Sequence, residues 1–87
     1  MNSMVILKEK DDKHVVYYYS GDSSHFKNIG EILSDGEIDF VFETEEFEIL
    51  KTATYDEDGL KAQWVLPHLW RTIVRENCPD KRFIATG

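Results

Sequence analysis

Residues 35–48, DGEIDFVFETEEFE, constrain this chain more than any other stretch. Ile38, Phe40 and Phe42 fall on one side of an extended backbone, and Asp39, Val41 and Glu43 fall on the other. After a turn at ETEE, Phe47, Ile49 and Lys51 oppose Glu48, Leu50 and Thr52. Period-two alternation of this kind belongs to an antiparallel sheet with one dry face and one wet face. Seven of the fourteen residues are acids and none is basic. The geometry accounts for much of that acidity, because charges on exposed strands also discourage edge-to-edge pairing.

The preceding residues read as further strands. MVILKEK (4–10) and HVVYYYS (14–20) flank a DDK turn and form a predicted hairpin, the second arm being rich in β-branched and aromatic side chains. GDSSHFKNIG has loop chemistry, bounded by Gly21 and Gly30, and IGEILS is a candidate short third strand. Asp35-Gly36 is the pair that type I′ hairpin turns prefer.

The cover for the dry face is a helix. Ala62, Val65, Leu66, Leu69 and Ile73 lie on one stripe at helical spacing, with Trp70 and Val74 flanking it. The DEDG segment places acids at the electropositive start of that helix, and Arg71 and Arg75 sit toward its end, where cations are favoured. Pro67 interrupts it and costs roughly 3 kcal/mol inside a helix. Two readings follow: one kinked helix, favoured because the stripe stays in phase, or a main helix that begins at Pro67. Cys78-Pro79 ends the helix, and KRFIATG is a short final strand at a sheet edge. The predicted fold is α+β: an antiparallel β-meander of about five strands packed on one face by a C-terminal helix, with a short final edge strand.

Length and composition narrow the function. Eighty-seven residues make a single domain, 1–87, with one modest core and little room for a deep cleft. The chain is 41% hydrophobic, yet no apolar run approaches the roughly 20 residues of a membrane span. The start, MNSMVILKEKDD, turns charged at once and predicts no secretory signal peptide. Cys78 is the sole cysteine, which excludes an internal disulfide and favours a reducing cytoplasm. The net charge is −7, but it is unevenly spread: residues 1–58 hold fifteen acids and five lysines, whereas residues 59–87 hold five bases and two acids. An acidic chain repels nucleic acid at long range, so nucleic acid is not the expected partner.

The candidates for chemistry are weak. His14, His25 and His68 show no metal-ligand spacing. Asp56, Asp58 and Gly59 faintly echo a calcium loop, but Val65 stands six residues past the glycine and these acids suit helix capping better. Ser20, Ser23, Ser24 and His25 lack the strained elbow that activates a serine nucleophile. Cys78 has Arg75 nearby, but the helix C-terminus disfavours a thiolate there. The scattered glycines form no phosphate loop, and acids on the wet side of a sheet are not desolvated into acid–base pairs. No catalytic residue, cofactor or metal is therefore expected, and the chain reads as non-enzymatic.

Two surfaces remain. Lys61, Trp64, His68, Arg71 and Arg75 cluster on the helix face opposite the apolar stripe, where a tryptophan among cations can stack nucleic-acid bases, hold an arginine or meet a protein partner. The simpler reading is that Trp64 packs under its own arginine or against a loop. The run Tyr17, Tyr18, Tyr19 must show at least one ring to the wet face, and such rings suit interfaces as well as plain sheet surfaces. The candidate interface is accordingly Tyr17, Tyr19, Asp39, Glu43, Trp64, His68, Arg71 and Arg75.

The order of these features resembles a group of short, uncharacterised bacterial proteins. The resemblance is carried by the opening MVILKEKDDKHVVYYYSGD, by the GEI…F…E…EILKTA meander and by the closing CPDKRFIATG. This chain departs from it at Glu45-Glu46, where a glycine turn would be expected, and at Pro67. The resemblance implies a bacterial, cytoplasmic sheet-plus-helix domain and brings no activity or functional residues.

The expected function is a protein-interaction module with an unidentified protein partner, or a homodimer through exposed strand edges. An alternative is an inhibitor or immunity-like protein whose acids at 35–48 mimic phosphates and block a basic nuclease or DNA-binding protein. A small enzyme or ligand-binding protein is a third reading, which a pocket with convergent polar groups would revive.

Overall fold

The structure is a computed structural model and describes residues 2–21, 28, 30 and 32–85. Among these described residues, five strands and one helix follow in the order β1 (Asn2–Lys10), β2 (His14–Tyr19), β3 (Gly36–Val41), β4 (Glu46–Lys51), α1 (Leu60–Val74) and β5 (Lys81–Ala85). The strands form one antiparallel sheet in the order β4-β3-β2-β1-β5, so the last strand pairs with the first. This is the expected α+β architecture with a short final edge strand. The hairpin turn is built by Asp11, whose carboxylate accepts from the amides of Lys13 (2.8 Å) and His14 (2.9 Å).

Cross-strand register assembles the dry face. Ile38 lies between Tyr17 and Ile49, and Phe40 lies between Val15 and Phe47. Val5 pairs with Tyr19, and Ser3 pairs with Ile84. Ala62, Val65, Leu69 and Ile73 of α1 close the core over Val5, Val15, Tyr17, Tyr19, Ile38 and Phe40. The helix runs unbroken through Pro67, which is exposed on its outer side. Pro67 lacks an N–H, so the Gln63 carbonyl loses its partner within the helix; on an exposed face water can replace it.

Several local expectations are corrected. Asp35-Gly36 is no hairpin turn: Gly36 is the first residue of β3, paired with Tyr19, and the Tyr19 ring occupies the space a side chain would need. A Cβ on Gly36 would lie 2.1 Å from that ring, so glycine is required there by close approach rather than by turn geometry. Asp35 instead binds the amide (2.9 Å) and hydroxyl (2.6 Å) of Thr54, tying the start of β3 to the segment after β4. Of the candidate strand at 29–34, residues 32–34 lie outside any strand, and Ile29 and Glu31 are outside the described residues. Lys51 does not continue the Phe47–Ile49 face. A register shift makes Leu50 an extra residue, and Lys51 pairs with Glu37. Among the helix positions, Thr72 is buried while Val74 is 46% exposed.

The second face of the sheet is mixed rather than wet. Glu37, Asp39 and Glu48 stand on it as expected, but so do half-buried Met4, Ile6 and Tyr18. Val16, flanked across the strands by Glu9 and Asp39, is only 2% exposed.

Candidate functional site

The start of α1 is organised from inside the core. Asp56 is 3% exposed, and its carboxylate accepts from the amides of Lys61 (2.7 Å) and Ala62 (3.0 Å) and from the Tyr19 hydroxyl (2.6 Å). The Tyr19 oxygen in turn accepts from the Ala53 amide at 3.0 Å. Gly59 supplies the left-handed residue (φ 74°) that carries the chain into the helix. The acids before residue 60 therefore do cap the helix, but Asp56 reaches it from five residues upstream as a buried group. Burial pushes the Tyr19 phenol up, and the bond to Asp56 adds to that; burial likewise raises Tyr17, whose hydroxyl donates to the Pro79 carbonyl (2.6 Å).

This arrangement corrects part of the predicted interface. Tyr17 and Tyr19 are fully buried and offer nothing to a partner. The period of two in YYY points both inward, and only Tyr18 faces outward, where the Lys8 ammonium lies 5.6 Å from its ring centre. Asp39 is half-buried on the face away from the helix and bonds the His14 imidazole at 2.9 Å. Glu43 is exposed in the β3–β4 turn.

The predicted helix-face residues are brought together, though in two groups. The Trp64 and His68 rings meet at a tilt of 49° with centres 4.9 Å apart, and the Lys61 ammonium sits 5.8 Å from the indole. The cation over Trp64 is thus a lysine one turn earlier, and neither arginine reaches it. Arg71 and Arg75 are exposed further along, and Arg75 lies over Trp70 at 5.7 Å. Pro67, Trp70, Arg71 and Arg75 line a shallow concavity of about 340 Å³. Sequence reasoning assigned Trp70 to the flank of the core stripe and missed it as a site residue. Its spacing from Pro67, Val74 and Arg75 (three, four and five positions) was the available signal.

Trp70 is held in place by the β3–β4 turn. Its indole N–H donates to Glu45 at 2.7 Å. Glu45 occupies a left-handed backbone conformation (φ 55°), which costs a non-glycine residue roughly 1–2 kcal/mol. A glycine would relieve that strain, but it could not accept the indole proton. The departure at Glu45-Glu46 from an expected glycine turn is therefore matched by a contact that fixes the wall of the concavity.

The charges beside Trp70 lack carboxylate partners. Among the described residues, neither Arg71 nor Arg75 lies within ion-pair distance of a carboxylate. Placed four residues apart, they repel by about 0.2–0.5 kcal/mol. The helix dipole favours cations near this end. It explains their sign; the Trp70 ring under Arg75 accounts for the position of that residue but not of Arg71. By contrast, the third arginine is fully engaged: Arg82 points under the helix and donates to the Thr72 hydroxyl at 2.7 Å, with Glu76 at 3.1 Å.

Four of the acids at 35–48 are engaged within the protein. Asp35 binds Thr54, Glu37 pairs with Lys8, Asp39 meets His14 and Glu45 holds Trp70. Ser23, Ser24 and His25 lie outside the described residues; Ser20 is buried and bonded to Ser3. Cys78 is half-buried with its thiol directed at the Ile73 carbonyl. Among the described residues, no helix is long and apolar enough to cross a membrane, and no three His, Cys, Asp or Glu side chains converge as metal ligands.

Comparison with protein-family models, with curated proteins and with solved structures finds no match to this chain.

Proposed function

We propose that this protein is a non-enzymatic interaction module that grips an acidic segment of a partner protein with the outer face of α1. One observation carries the reading. Among the described residues, Arg71 and Arg75 have no carboxylate partner, and they stand beside an indole that donates to Glu45. Two guanidinium groups suit carboxylates, which accept paired hydrogen bonds from each fork. Trp70 and Pro67 add a flat apolar surface for a neighbouring side chain, and tryptophan with arginine is the usual make-up of a binding hot spot. The net charge of −7 keeps the rest of the molecule from competing for the same acidic segment and disfavours nucleic acid.

Phosphate mimicry by residues 35–48 has less support, because four of its seven acids already serve internal contacts. A reducing cytoplasm suits the single free thiol, and a bacterial source would follow from the resemblance noted above.

The test is selection from a displayed peptide library by the wild type and by the double variant R71E/R75E. The wild type should enrich peptides combining Asp or Glu with one large apolar residue, with affinity that falls as salt rises. The double variant should lose that enrichment. Equal selection by both proteins, or enrichment without acids, refutes the assignment.

A further inference from the structure

The two edges of the sheet are protected unequally. β4 carries Glu46 and Glu48 and ends in a register shift at Leu50, devices that deter pairing with another strand. β5 has no acid and no bulge; its charges are Lys81, exposed at one end, and Arg82, turned under the helix, and its five residues keep regular register with β1. Its centre is Phe83, 41% exposed on the face away from the helix.

The hydrogen-bonding phase of that edge is fixed. Leu7 donates its amide to the Asp80 carbonyl at 2.8 Å, so alternate residues Arg82 and Ile84 turn their backbone groups toward β1. Lys81, Phe83 and Ala85 turn theirs outward, and all three residues are exposed.

We propose that β5 pairs antiparallel with β5 of a second copy, about a two-fold axis passing beside Phe83 and perpendicular to the sheet. In that register Phe83 meets Phe83 of the partner as a hydrogen-bonded pair, and Lys81 meets Ala85 on either side. About six backbone hydrogen bonds join the chains. The sheet continues to ten strands, with both helices on one side.

The charge pattern selects this occupant. Lys81 stands opposite Ala85, and Arg82 stands opposite Ile84, so no like charges face each other. A β4–β4 contact would instead bring Glu46 and Glu48 of both copies together, which is destabilising. Joining β5 to β4 of another copy satisfies charge, but with all helices on one side it makes the strands parallel. Such a contact is heterologous and grows without closing. The concavity at Trp70 is not part of the contact, so the dimer and the acidic-segment reading stand or fall separately.

Sedimentation equilibrium from about 10 µM to 1 mM tests the dimer, the range expected of an interface smaller than standard. The wild type should fit a monomer–dimer equilibrium. F83K, which places a charge on the edge, and F83P, which removes the outward amide, should each weaken association at least tenfold while keeping wild-type circular dichroism. E48K on the other edge should leave it unchanged. Amide exchange at Lys81, Phe83 and Ala85 should slow with concentration, with Arg82 and Ile84 protected throughout. A wild type that stays monomeric, assemblies larger than a dimer, or F83K and F83P proteins that associate like the wild type would overturn the proposal.

Discussion

Replacing Asp56 by alanine tests the central claim about how the helix is anchored. The carboxylate satisfies two helix-start amides and the Tyr19 hydroxyl from a site that is 3% exposed. Loss of a side-chain cap costs about 1 kcal/mol, and leaving a buried donor without a partner costs about 1–3 kcal/mol. Water can reach the Lys61 and Ala62 amides in part once the side chain is gone, so the expected total is about 2–4 kcal/mol rather than the full sum. For a domain of this size that lowers Tm by roughly 10–25 °C. Urea unfolding followed by tryptophan fluorescence should show a lower midpoint with an unchanged slope. Tyr19→Phe removes the same contact from the other side. D56A/Y19F should therefore be less destabilised than the sum of the single variants, by at least about 0.5 kcal/mol. Should D56A cost under about 0.5 kcal/mol, as a surface acid does, or should the two substitutions add, the Tyr19–Asp56 link is not what holds α1 to the sheet.

Three further outcomes follow from the geometry. Gly36→Ala drives a methyl group into the Tyr19 ring and should destabilise by about 1–3 kcal/mol in thermal melts; because the clash is with a ring, G36A/Y19L should be less destabilised than the sum of the two single variants. The His14 imidazole is held above its usual range, first by its bond to Asp39 and then by Asp11 and Glu9, so its NMR titration midpoint should lie above 6.5 and fall in Asp39→Asn. With the folded value raised, protonated His14 stabilises the fold below the unfolded value, and that contribution disappears as pH rises through the folded one; H14Q should thus differ from the wild type at pH 5.5 and match it at pH 8.5. Glu45→Gly should leave global stability within about 0.5 kcal/mol, since relief of the left-handed strain offsets the lost indole bond, yet weaken any selected acidic peptide by freeing Trp70; an unchanged affinity would remove Glu45 from the site.

Alternation and helical spacing already assigned the layers in the sequence. Ile38 and Phe40 went to the dry face, Ala62, Val65, Leu69 and Ile73 went to the stripe that covers them, and the last strand went to an edge. Those assignments depend on a repeat that every neighbouring residue shares, so they survive without knowledge of the tertiary partners. Tyr17 and Tyr19 were harder, because three consecutive tyrosines do not announce which two point inward; the pairing of Tyr17 with Ile38 and of Tyr19 with Gly36 decided it. Asp35-Gly36 looked like a turn because the pair is usual in turns, and nothing local reveals a ring arriving from another strand.

The chain by itself determined what must be buried, since the hydrophobic effect acts on each side chain's chemistry and on the period of the backbone. It also fixed where the cations lie along the chain, in the last third. Only the tertiary structure decided which polar groups meet across long sequence separations: Tyr19 with Asp56, Trp70 with Glu45, and Arg82 with Thr72. The physical reason is reach. A hydrogen bond demands partners within about 3 Å at a favourable angle, and that proximity is set by the packing of whole elements rather than by any pattern a single segment carries.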